Sequence, residues 1–286
     1  MITVFTPSYN RRHLLKDLYE SLLVQDTDNF EWLIVDDGSK DDTESYIKEL
    51  KKENKININY IYKENGGKLS AYNVGLDNAK GDIFLCIDSD DIFKENVLAR
   101  IESDFKKIKN NQELAGIMYV QNYTNDKKKT IGTSFPQDGL IDTYYNIYNK
   151  HKVTGDKLIV FKTEVAKKYH FPIMEGEKFV PEALIYNRIS SEYKFKCSNF
   201  VTSYKEYLDQ GYSNNYFKLV KRNPLGNMLY YKELFDIKKS LYNRYAYILF
   251  GIYGKKKLSY MVKDHSAKFR IVLLYIPVYF ISKIKK

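Results

Sequence analysis

The chain has 286 residues, of which 44% are hydrophobic and 29% are charged, and this composition excludes an intrinsically disordered protein. Its length suits one large domain, or one catalytic domain with a smaller appendage. The formal net charge of +10 is unevenly spread, because residues 215–286 contain 16 Lys and Arg against 3 Asp and Glu, whereas residues 1–214 are slightly acidic.

The N-terminus and the two cysteines predict a protein of the cytosol. The first ten residues, MITVFTPSYN, lack the basic and then apolar segments of a secretory signal, and they have the pattern of a first β-strand. Cys86 and Cys197 lie far apart in apolar surroundings, so we expect two buried, reduced thiols rather than a disulfide.

Strands and helices alternate along the first half of the chain. Apolar runs predict strands at residues 2–6, 31–35, 56–62, 83–87 and 115–119, and apolar residues at helical spacing predict helices at 11–25, around 46–50, at 68–79 and at 97–108. Further along, the pattern predicts a hairpin tip at 127–129, a strand at 158–161, a helix at 183–189 and mostly helix from about 215. This alternation predicts an α/β fold with a doubly wound, mostly parallel sheet flanked by helices.

Polar residues follow each of the first four predicted strands. They occupy residues 7–10, the pair Asp36-Asp37, residues 65–68 and residues 88–91. Ligands of such sheets bind outside the carboxyl ends of the strands. The sequence therefore predicts one binding site at this edge, built from four loops.

The triplet Asp88-Ser89-Asp90 predicts a site for a hard cation. Carboxylate oxygens suit Mg²⁺ or Mn²⁺, and such an ion usually keeps positions for phosphate oxygens. The alternative is a turn and helix cap, since Asp and Ser also favour those structures. The position directly after a buried strand favours the metal.

The two other loops have the same two interpretations. Asp36 and Asp37 could accept hydrogen bonds from a nucleotide, or they could end the strand and cap the next helix. The segment Asn65-Gly66-Gly67-Lys68 lacks the spacing of a P-loop. Its glycines still allow close backbone approach, and Lys68 at a helix start could meet a phosphate.

Four linked motifs resemble family 2 glycosyltransferases of the GT-A fold. They are residues 4–10 (VFTPSYN), residues 35–39 (VDDGS), Asn65-Gly66-Gly67 with Ala71, Asn73 and Gly75, and residues 88–91 (DSDD), in the family's order over about the first hundred residues. The resemblance implies an inverting transfer from a nucleotide-sugar, commonly a UDP-sugar, to an acceptor hydroxyl.

The resemblance also implies roles for individual residues. Asp90 would bind the metal together with Asp88, which would also face the ribose. The remaining nucleotide-sugar contacts would come from Thr6, Pro7, Tyr9, Asp36, Asp37, Asn65, Gly67, Lys68 and Ser89. Residues 1–110 would form the nucleotide-sugar-binding half of a catalytic domain that ends at 214, and residues 111–214 the acceptor-binding half.

An inverting transfer needs a base, and the family often places it in a Glu-Asp pair with an Arg six residues later. No Glu-Asp pair occurs in the matching region, but Glu182 has Arg188 six residues after it. We therefore assign the base to Glu182, with Glu177 and Glu175 as rivals. The alternative for Glu182 is a purely structural role at the start of a helix, which an acidic first turn favours.

The basic region 215–286 predicts an attachment to the membrane surface. Its uncharged run from Ile271 to Ile281 is shorter than the ~20 apolar residues of a spanning helix and contains Pro277. With the lysines at 255–257, this run resembles an interfacial anchor for anionic lipid. A helix packed on the domain and a nucleic-acid site are the alternatives, and we expect no nucleic-acid partner, because the apolar run is too continuous.

These expectations together describe an enzyme at the inner face of the plasma membrane. Its donor would be a nucleotide-sugar and its acceptor a saccharide, free or polyprenyl-linked, as in bacterial surface polysaccharide synthesis. The rivals are a sugar nucleotidyltransferase, and a non-catalytic carbohydrate-binding protein on a degenerate transferase fold. A nucleotidyltransferase usually has a Gly-rich basic loop after its first strand, where this chain has residues 7–10.

Overall fold

The structure is a computed structural model, and it describes residues 1–205, 216–266 and 268–284. The described residues divide into two compact units. The first unit comprises Met1–Phe171 and residues 186–205, and the second comprises Pro172–Ile185 and the described residues from 216 onward. The domain boundary expected at residues 214 and 215 lies outside the described residues.

Nine strands carry the fold of the first unit, within the part of the chain that is described. They are β1 (Ile2–Ser8), β2 (Phe30–Asp36), β3 (Ile58–Tyr62), β4 (Ile83–Cys86), β5 (Asp91–Phe93), β6 (Leu114–Tyr123), β7 (Ile141–Asp142), β8 (Lys157–Lys162) and β9 (Lys194–Lys205). They form one sheet in the order β3-β2-β1-β4-β8-β6-β9-β5, and β7 pairs with β9 beside this path.

The sheet has a parallel half and a mixed half. Strands β1 to β4 pair in parallel, whereas β8 runs antiparallel to both β4 and β6, and β9 runs parallel to β6 but antiparallel to β5. The predicted α/β architecture is confirmed, and the predicted parallel pairing holds for the four strands that carry the polar loops. The carboxyl ends of β1 to β4 therefore lie at one edge of the sheet.

Helices connect these strands in the first unit and make up most of the second. The first group is α1 (Arg12–Leu23), α2 (Thr43–Glu53), α3 (Lys68–Asn78), α4 (Leu98–Ile108), α5 (Tyr144–Asn149) and α6 (Thr163–Ala166). The next helix, α7 (Ala183–Ile189), crosses from the second unit to the first. The helices of the second unit are α8 (Tyr216–Arg222), α9 (Pro224–Ile237), α10 (Leu241–Tyr253), α11 (Leu258–Asp264) and α12 (Lys268–Ile284).

Helix α3 lies unusually close to the sheet, which fixes the loop in front of it. A Cβ atom on Gly75 would come within 2.3 Å of the Phe5 ring, so only glycine allows this approach. Two residues before Gly75, the Asn73 side chain donates to the Phe171 carbonyl and accepts from the Phe171 N–H, both at 2.9 Å. These contacts set the N-terminus of α3, and with it Lys68, against the ends of the strands.

The core of the first unit covers one face of the sheet with apolar side chains of α1, α2 and α4. Trp32 is fully buried at its centre, stacks on Tyr19 with ring centroids 6.0 Å apart, and donates its indole N–H to the Thr6 hydroxyl at 3.0 Å. Neither Cys86 nor Cys197 is part of a disulfide; Cys197 is buried and Cys86 half-buried. Burial raises the pKa of the Cys197 thiol to about 12, so this thiol is inert at neutral pH.

The second unit has an apolar core of its own. Its buried members are Met228, Tyr247, Ile248, Met261, Ile271 and Val278, from α9 to α12. Helices α8 to α12 make up the basic, aromatic and helical C-terminal extension that the sequence predicts. Among the described helices, none has both the length and the apolar character needed to cross a membrane.

Candidate functional site

Asp88, at the carboxyl end of β4, is held by two lysines. Its carboxylate lies 2.8 Å from the Lys68 ammonium and 3.6 Å from that of Lys205. Burial by itself would raise the pKa of Asp88, but the charges of Lys68 and Lys205 hold this pKa below its usual range. Asp88 is therefore an anion at every physiological pH.

Lys205 reaches this loop because β9 pairs with the short strand β5. Asp91 and Lys205 are direct partners across the two antiparallel strands. The Lys205 ammonium lies 3.6 Å from the Asp91 carboxylate and 3.8 Å from that of Asp156. Burial would lower the pKa of Lys205, but the three neighbouring carboxylates raise it. Lys205 thus stays charged at the centre of an acidic cluster.

Asp90 faces the first loop. Its carboxylate lies 3.2 Å from the Arg11 guanidinium, and both side chains are mostly buried. This pair joins the loop after β1 to the loop after β4. The predicted convergence of these two loops is therefore present in the structure.

Asp36 and Asp37 shape the loops around the site. Asp36 accepts from the Ser39 backbone N–H at 2.8 Å and from the Tyr60 hydroxyl at 2.7 Å. Asp36 and Asp37 are 1% and 3% exposed, so neither carboxylate is open to solvent as the chain stands. Direct contact of these residues with a nucleobase stays a prediction.

Asp37 ties the third loop to the second. It accepts from the backbone N–H of Gly66 at 2.9 Å and of Gly67 at 2.7 Å, and it pairs with Lys63 at 2.7 Å. The Asn65 side chain donates to the Asp37 carbonyl at 2.8 Å. Gly67 has a φ of 92°, which L side chains rarely adopt, so glycine is required where α3 begins.

The residues expected from the first loop have different surroundings. Thr6 is fully buried, and its hydroxyl already holds the Trp32 indole. Pro7 is half-buried, and Tyr9 is 46% exposed, which leaves its ring accessible to a ligand. Ser89 is buried between Asp88 and Asp90. Their roles toward a nucleotide-sugar stay predictions.

The donor chemistry of the loop after β4 fits a divalent cation. Asp88 and Asp90 supply the carboxylate oxygens that Mg²⁺ and Mn²⁺ prefer, and the buried Oδ1 of Asp91 has no hydrogen-bond partner. In the described residues, no group of three or more His, Cys, Asp or Glu side chains is arranged to hold a metal. An ion here would take only one or two protein ligands and would need phosphate oxygens, the usual mode for Mg²⁺.

The three glutamates considered as bases lie in the second unit. Glu177 accepts from the backbone N–H of Leu225 at 2.7 Å and of Gly226 at 2.9 Å, so both of its oxygens cap helix α9. Glu175 is exposed in a turn, and Glu182 is half-buried at the start of α7. The capping contacts give Glu177 a structural role, and the choice among Glu182, Glu177 and Glu175 as the base stays a prediction.

Three cations of the site were missed from the sequence: Arg11, Lys63 and Lys205. Arg11 directly follows the polar loop at residues 7–10, and Lys63 directly follows a predicted strand two residues before Asn65, so both positions carried a usable signal. Lys205 ends a strand that the sequence did not predict, so it carried none.

Comparison with known proteins identifies the family. The sequence profile named Glycosyl transferase family 2 matches residues 3–169, which is more than half of the chain. The chain belongs to this family. All four polar loops of the candidate site fall inside the matched range.

Relatives of this glycosyltransferase family 2 member share only part of their length with it. An uncharacterized glycosyltransferase of Rickettsia felis is 35% identical over 145 residues, which cover 48% of this chain and 23% of the relative. The putative teichuronic acid biosynthesis glycosyltransferase TuaG of Bacillus subtilis is 36% identical over 101 residues, 35% of this chain and 40% of the relative. The chain thus spans well under half the length of these relatives.

Two solved structures resemble this chain in fold over most of its length. Residues 1–349 of S. aureus TarS in complex with UDP-GlcNAc have a TM-score of 0.61 at 18% identity, covering 97% of this chain and 90% of that one. The mannosyltransferase PcManGT from Pyrobaculum calidifontis, in complex with GDP-Man and Mn²⁺, has a TM-score of 0.58 at 17% identity, covering 99% and 83%. At these identities the likeness concerns the fold alone.

Proposed function

We propose that this family 2 member is an inverting glycosyltransferase that moves a hexosyl or N-acetylhexosaminyl group from a nucleotide-sugar, most simply a UDP-sugar, to a saccharide hydroxyl. The observation that carries the proposal is the loop after β4, where Asp88 and Asp90 meet Lys68, Lys205 and Arg11. Two carboxylates and three cations at one strand edge can hold a divalent ion and the diphosphate it neutralises.

The donor half of the reaction falls to the loops that follow strands β1 to β4. Asp90, together with Asp88, would hold Mn²⁺ or Mg²⁺, which when bound offsets the charge that grows on the leaving diphosphate. Lys68 at the start of α3 would donate to a phosphate oxygen. Tyr9, with its exposed ring, would stack on the nucleobase. Asp37 would keep the backbone of residues 65–67 in place behind the nucleotide.

The acceptor half rests on Glu182. Its carboxylate would take the proton of the acceptor hydroxyl while that oxygen attacks the anomeric carbon. The bond from the anomeric carbon to the diphosphate oxygen then breaks, and the nucleoside diphosphate leaves with the electron pair. Attack from the face opposite the leaving group inverts the anomeric configuration.

The setting we propose is bacterial surface polysaccharide synthesis at the cytoplasmic face of the membrane, with a saccharide acceptor that is lipid-linked. The likeness to TuaG, a putative teichuronic acid biosynthesis glycosyltransferase, supports a polysaccharide product. The TarS and PcManGT complexes support a nucleoside-diphosphate sugar as donor, because both hold one on this fold.

A donor screen followed by turnover tests the function. The melting temperature is measured with UDP-glucose, UDP-galactose, UDP-GlcNAc and GDP-mannose, each with Mn²⁺ and with EDTA. We expect one donor to raise it and Mn²⁺ to increase the rise. With that donor, released UDP or GDP is then quantified with and without saccharide acceptors, and the anomeric configuration of the product is determined.

Each other outcome contradicts a part of the proposal. Pyrophosphate released from a nucleoside triphosphate and a sugar phosphate would identify a nucleotidyltransferase. Saccharide binding with no turnover of any donor would identify a carbohydrate-binding protein. A product with retained configuration would rule out the direct displacement.

A further inference from the structure

Helix α12 has one buried face and one exposed apolar face. Ile271 and Val278 are 0% and 2% exposed and belong to the core of the second unit. Apolar side chains on the other face are exposed: Phe269 by 74%, Leu273 by 60%, Ile276 by 64% and Phe280 by 63%. At 100° per residue these four lie within an arc of about 60°, opposite Ile271 and Val278. We call these four residues the apolar stripe.

The four residues of the apolar stripe form a continuous row, unlike the scattered apolar residues of an ordinary protein surface. Single exposed apolar side chains are normal on soluble proteins, but a contiguous row along three turns of one helix marks an interaction surface. Two exposed cations, Lys268 and Arg270, stand on either side of Phe269, about 100° to each side around the helix. Long basic side chains in that arrangement can reach headgroups while the stripe enters an apolar phase.

A cationic cleft lies shortly before α12 in the chain, on the turn after α10 and on α11. It has a volume of about 440 Å³ and is lined by Lys255, Lys256, Lys257, Ser259, Tyr260 and Lys263. Lys255, Lys257 and Lys263 are exposed and Lys256 is half-buried, so their ammonium groups can meet phosphate oxygens at the surface around this cleft. The acidic residue nearest in sequence, Asp264, is already bound to Lys232 at 2.7 Å.

We propose that the second unit binds the surface of an anionic phospholipid bilayer, with the apolar stripe inserted at the acyl boundary and the cationic cleft holding lipid phosphates. Charge complementarity selects this occupant: residues 215–286 carry 16 basic and 3 acidic residues. A nucleic acid would explain the cations and leave the stripe uncovered, and a second copy of the chain would bring two strongly positive units together. Neither accounts for both features.

This inference deepens the proposed function, because it names the surface at which a lipid-linked acceptor would be met. It does not depend on the identity of the donor. Vesicle binding can therefore fail while sugar transfer to a water-soluble acceptor succeeds, and the reverse can also occur.

Co-sedimentation of the full chain with vesicles tests the proposal. One vesicle is phosphatidylcholine alone, and the other is about two parts phosphatidylcholine to one part phosphatidylglycerol. We expect binding to the anionic vesicle and little to the neutral one. The variant with Ile276→Glu and Phe280→Glu should bind at least about tenfold more weakly, since charge on the stripe opposes insertion. The variant with Lys255, Lys256 and Lys257 all changed to Gln should lose the preference for anionic lipid.

The first unit offers matched controls. Val24→Glu places a glutamate on an exposed apolar residue outside the second unit, and it is compared with the single variant Phe280→Glu. Changing Lys127, Lys128 and Lys129 to Gln removes a second run of three lysines, at an exposed turn. Both controls should bind vesicles like the unchanged chain. Equal melting temperatures would establish that the test variants are folded.

Four results would overturn the proposal. The first is no binding of the unchanged chain to anionic vesicles, and the second is equal binding by the stripe variant. The third is a dimer in solution, measured by light scattering without lipid, that the stripe variant dissociates, because a second copy would then cover the stripe. The fourth is binding of RNA or DNA that the lysine variant loses while vesicle binding is unaffected.

Discussion

The two units of the chain differ in how their charged side chains are paired. In the first unit, each carboxylate at the end of β4 has a cation within 4 Å, supplied by Lys68, Lys205 or Arg11. In the second unit, by contrast, residues 215–286 carry 16 basic residues against 3 acidic ones, and a helix presents its apolar stripe to solvent.

This contrast separates two ways of preparing for a ligand. The first unit holds its carboxylates in place with internal cations, so the site is formed before any ligand arrives, and little ordering is left for binding. The second unit leaves charge and apolar surface for an external partner to cover. Breaking a pair in the first unit should therefore affect chemistry or stability, whereas removing charge from the second should affect attachment.

The largest expected effect comes from Asp90→Ala. This change removes the proposed metal ligand and the partner of Arg11, and we expect the transfer rate to fall by about a thousandfold or more. The melting temperature should fall only slightly, because the change removes one ion pair, with Arg11, and no apolar core contact. Initial rates of nucleoside diphosphate release with Mn²⁺ measure the effect.

Asp17→Ala is the matched control, since Asp17 is exposed on α1. It should keep full activity. Near-normal transfer by Asp90→Ala in excess EDTA would remove the metal assignment.

The next effect distinguishes two glutamates. Glu182→Gln should lower the turnover number by about a hundredfold to ten-thousandfold with the fold intact, because the amide cannot accept the proton. Glu177→Gln should keep the turnover number and lower the free energy of unfolding by about 1 kcal/mol, because it weakens the cap of α9. The turnover number and the melting temperature of both variants are measured to distinguish the two roles. The opposite pattern, inactive Glu177→Gln and active Glu182→Gln, would reverse the assignment.

Lys205→Met tests whether the Lys205 ammonium stabilises the fold and supports donor binding. The change leaves Asp91 buried without its cross-strand partner, and we expect the free energy of unfolding to fall by about 2 kcal/mol, with weaker donor binding. Lys194→Met, at the exposed start of the same strand, removes a surface pair with Glu113 and should cost no more than about 0.5 kcal/mol. Urea titrations compare the two. Equal costs would mean that burial of the Lys205 cluster contributes nothing to stability.

The sequence predicted the parallel half of the sheet because its strands are buried apolar runs of ordinary length. It missed β9, whose pairing with β6 contains register shifts near Tyr119 and Val120, so that the alternation of apolar residues is interrupted. It also missed β5, which has three residues and directly follows the acidic loop. Lys205 and its pairing with Asp91 depend on both strands.

Site residues could be predicted where their position at the end of one strand determines their role. They could not be predicted where a contact with a distant part of the chain determines it. Asp88 and Asp90 follow from position after β4. That Asp37 holds Gly66 and Gly67, about thirty positions away, is a tertiary contact that no local pattern reports. The same holds for Glu177, whose partners on α9 are 48 and 49 positions along the chain.

The smallest effect concerns a pair in the first unit that lies outside the acidic loop. Burial by itself would raise the pKa of Asp142, but hydrogen bonds from Asn146 and His151 lower it to about 2. Since the folded pKa is below the unfolded value, the stability that this carboxylate contributes is present above about pH 4 and is lost as the pH falls toward 2. Asp142→Asn should therefore lower the free energy of unfolding by about 1 kcal/mol at pH 7 and by much less near pH 2. A difference between the two proteins that is the same at both pH values would mean that the hydrogen bonds, and not the charge, carry the contribution.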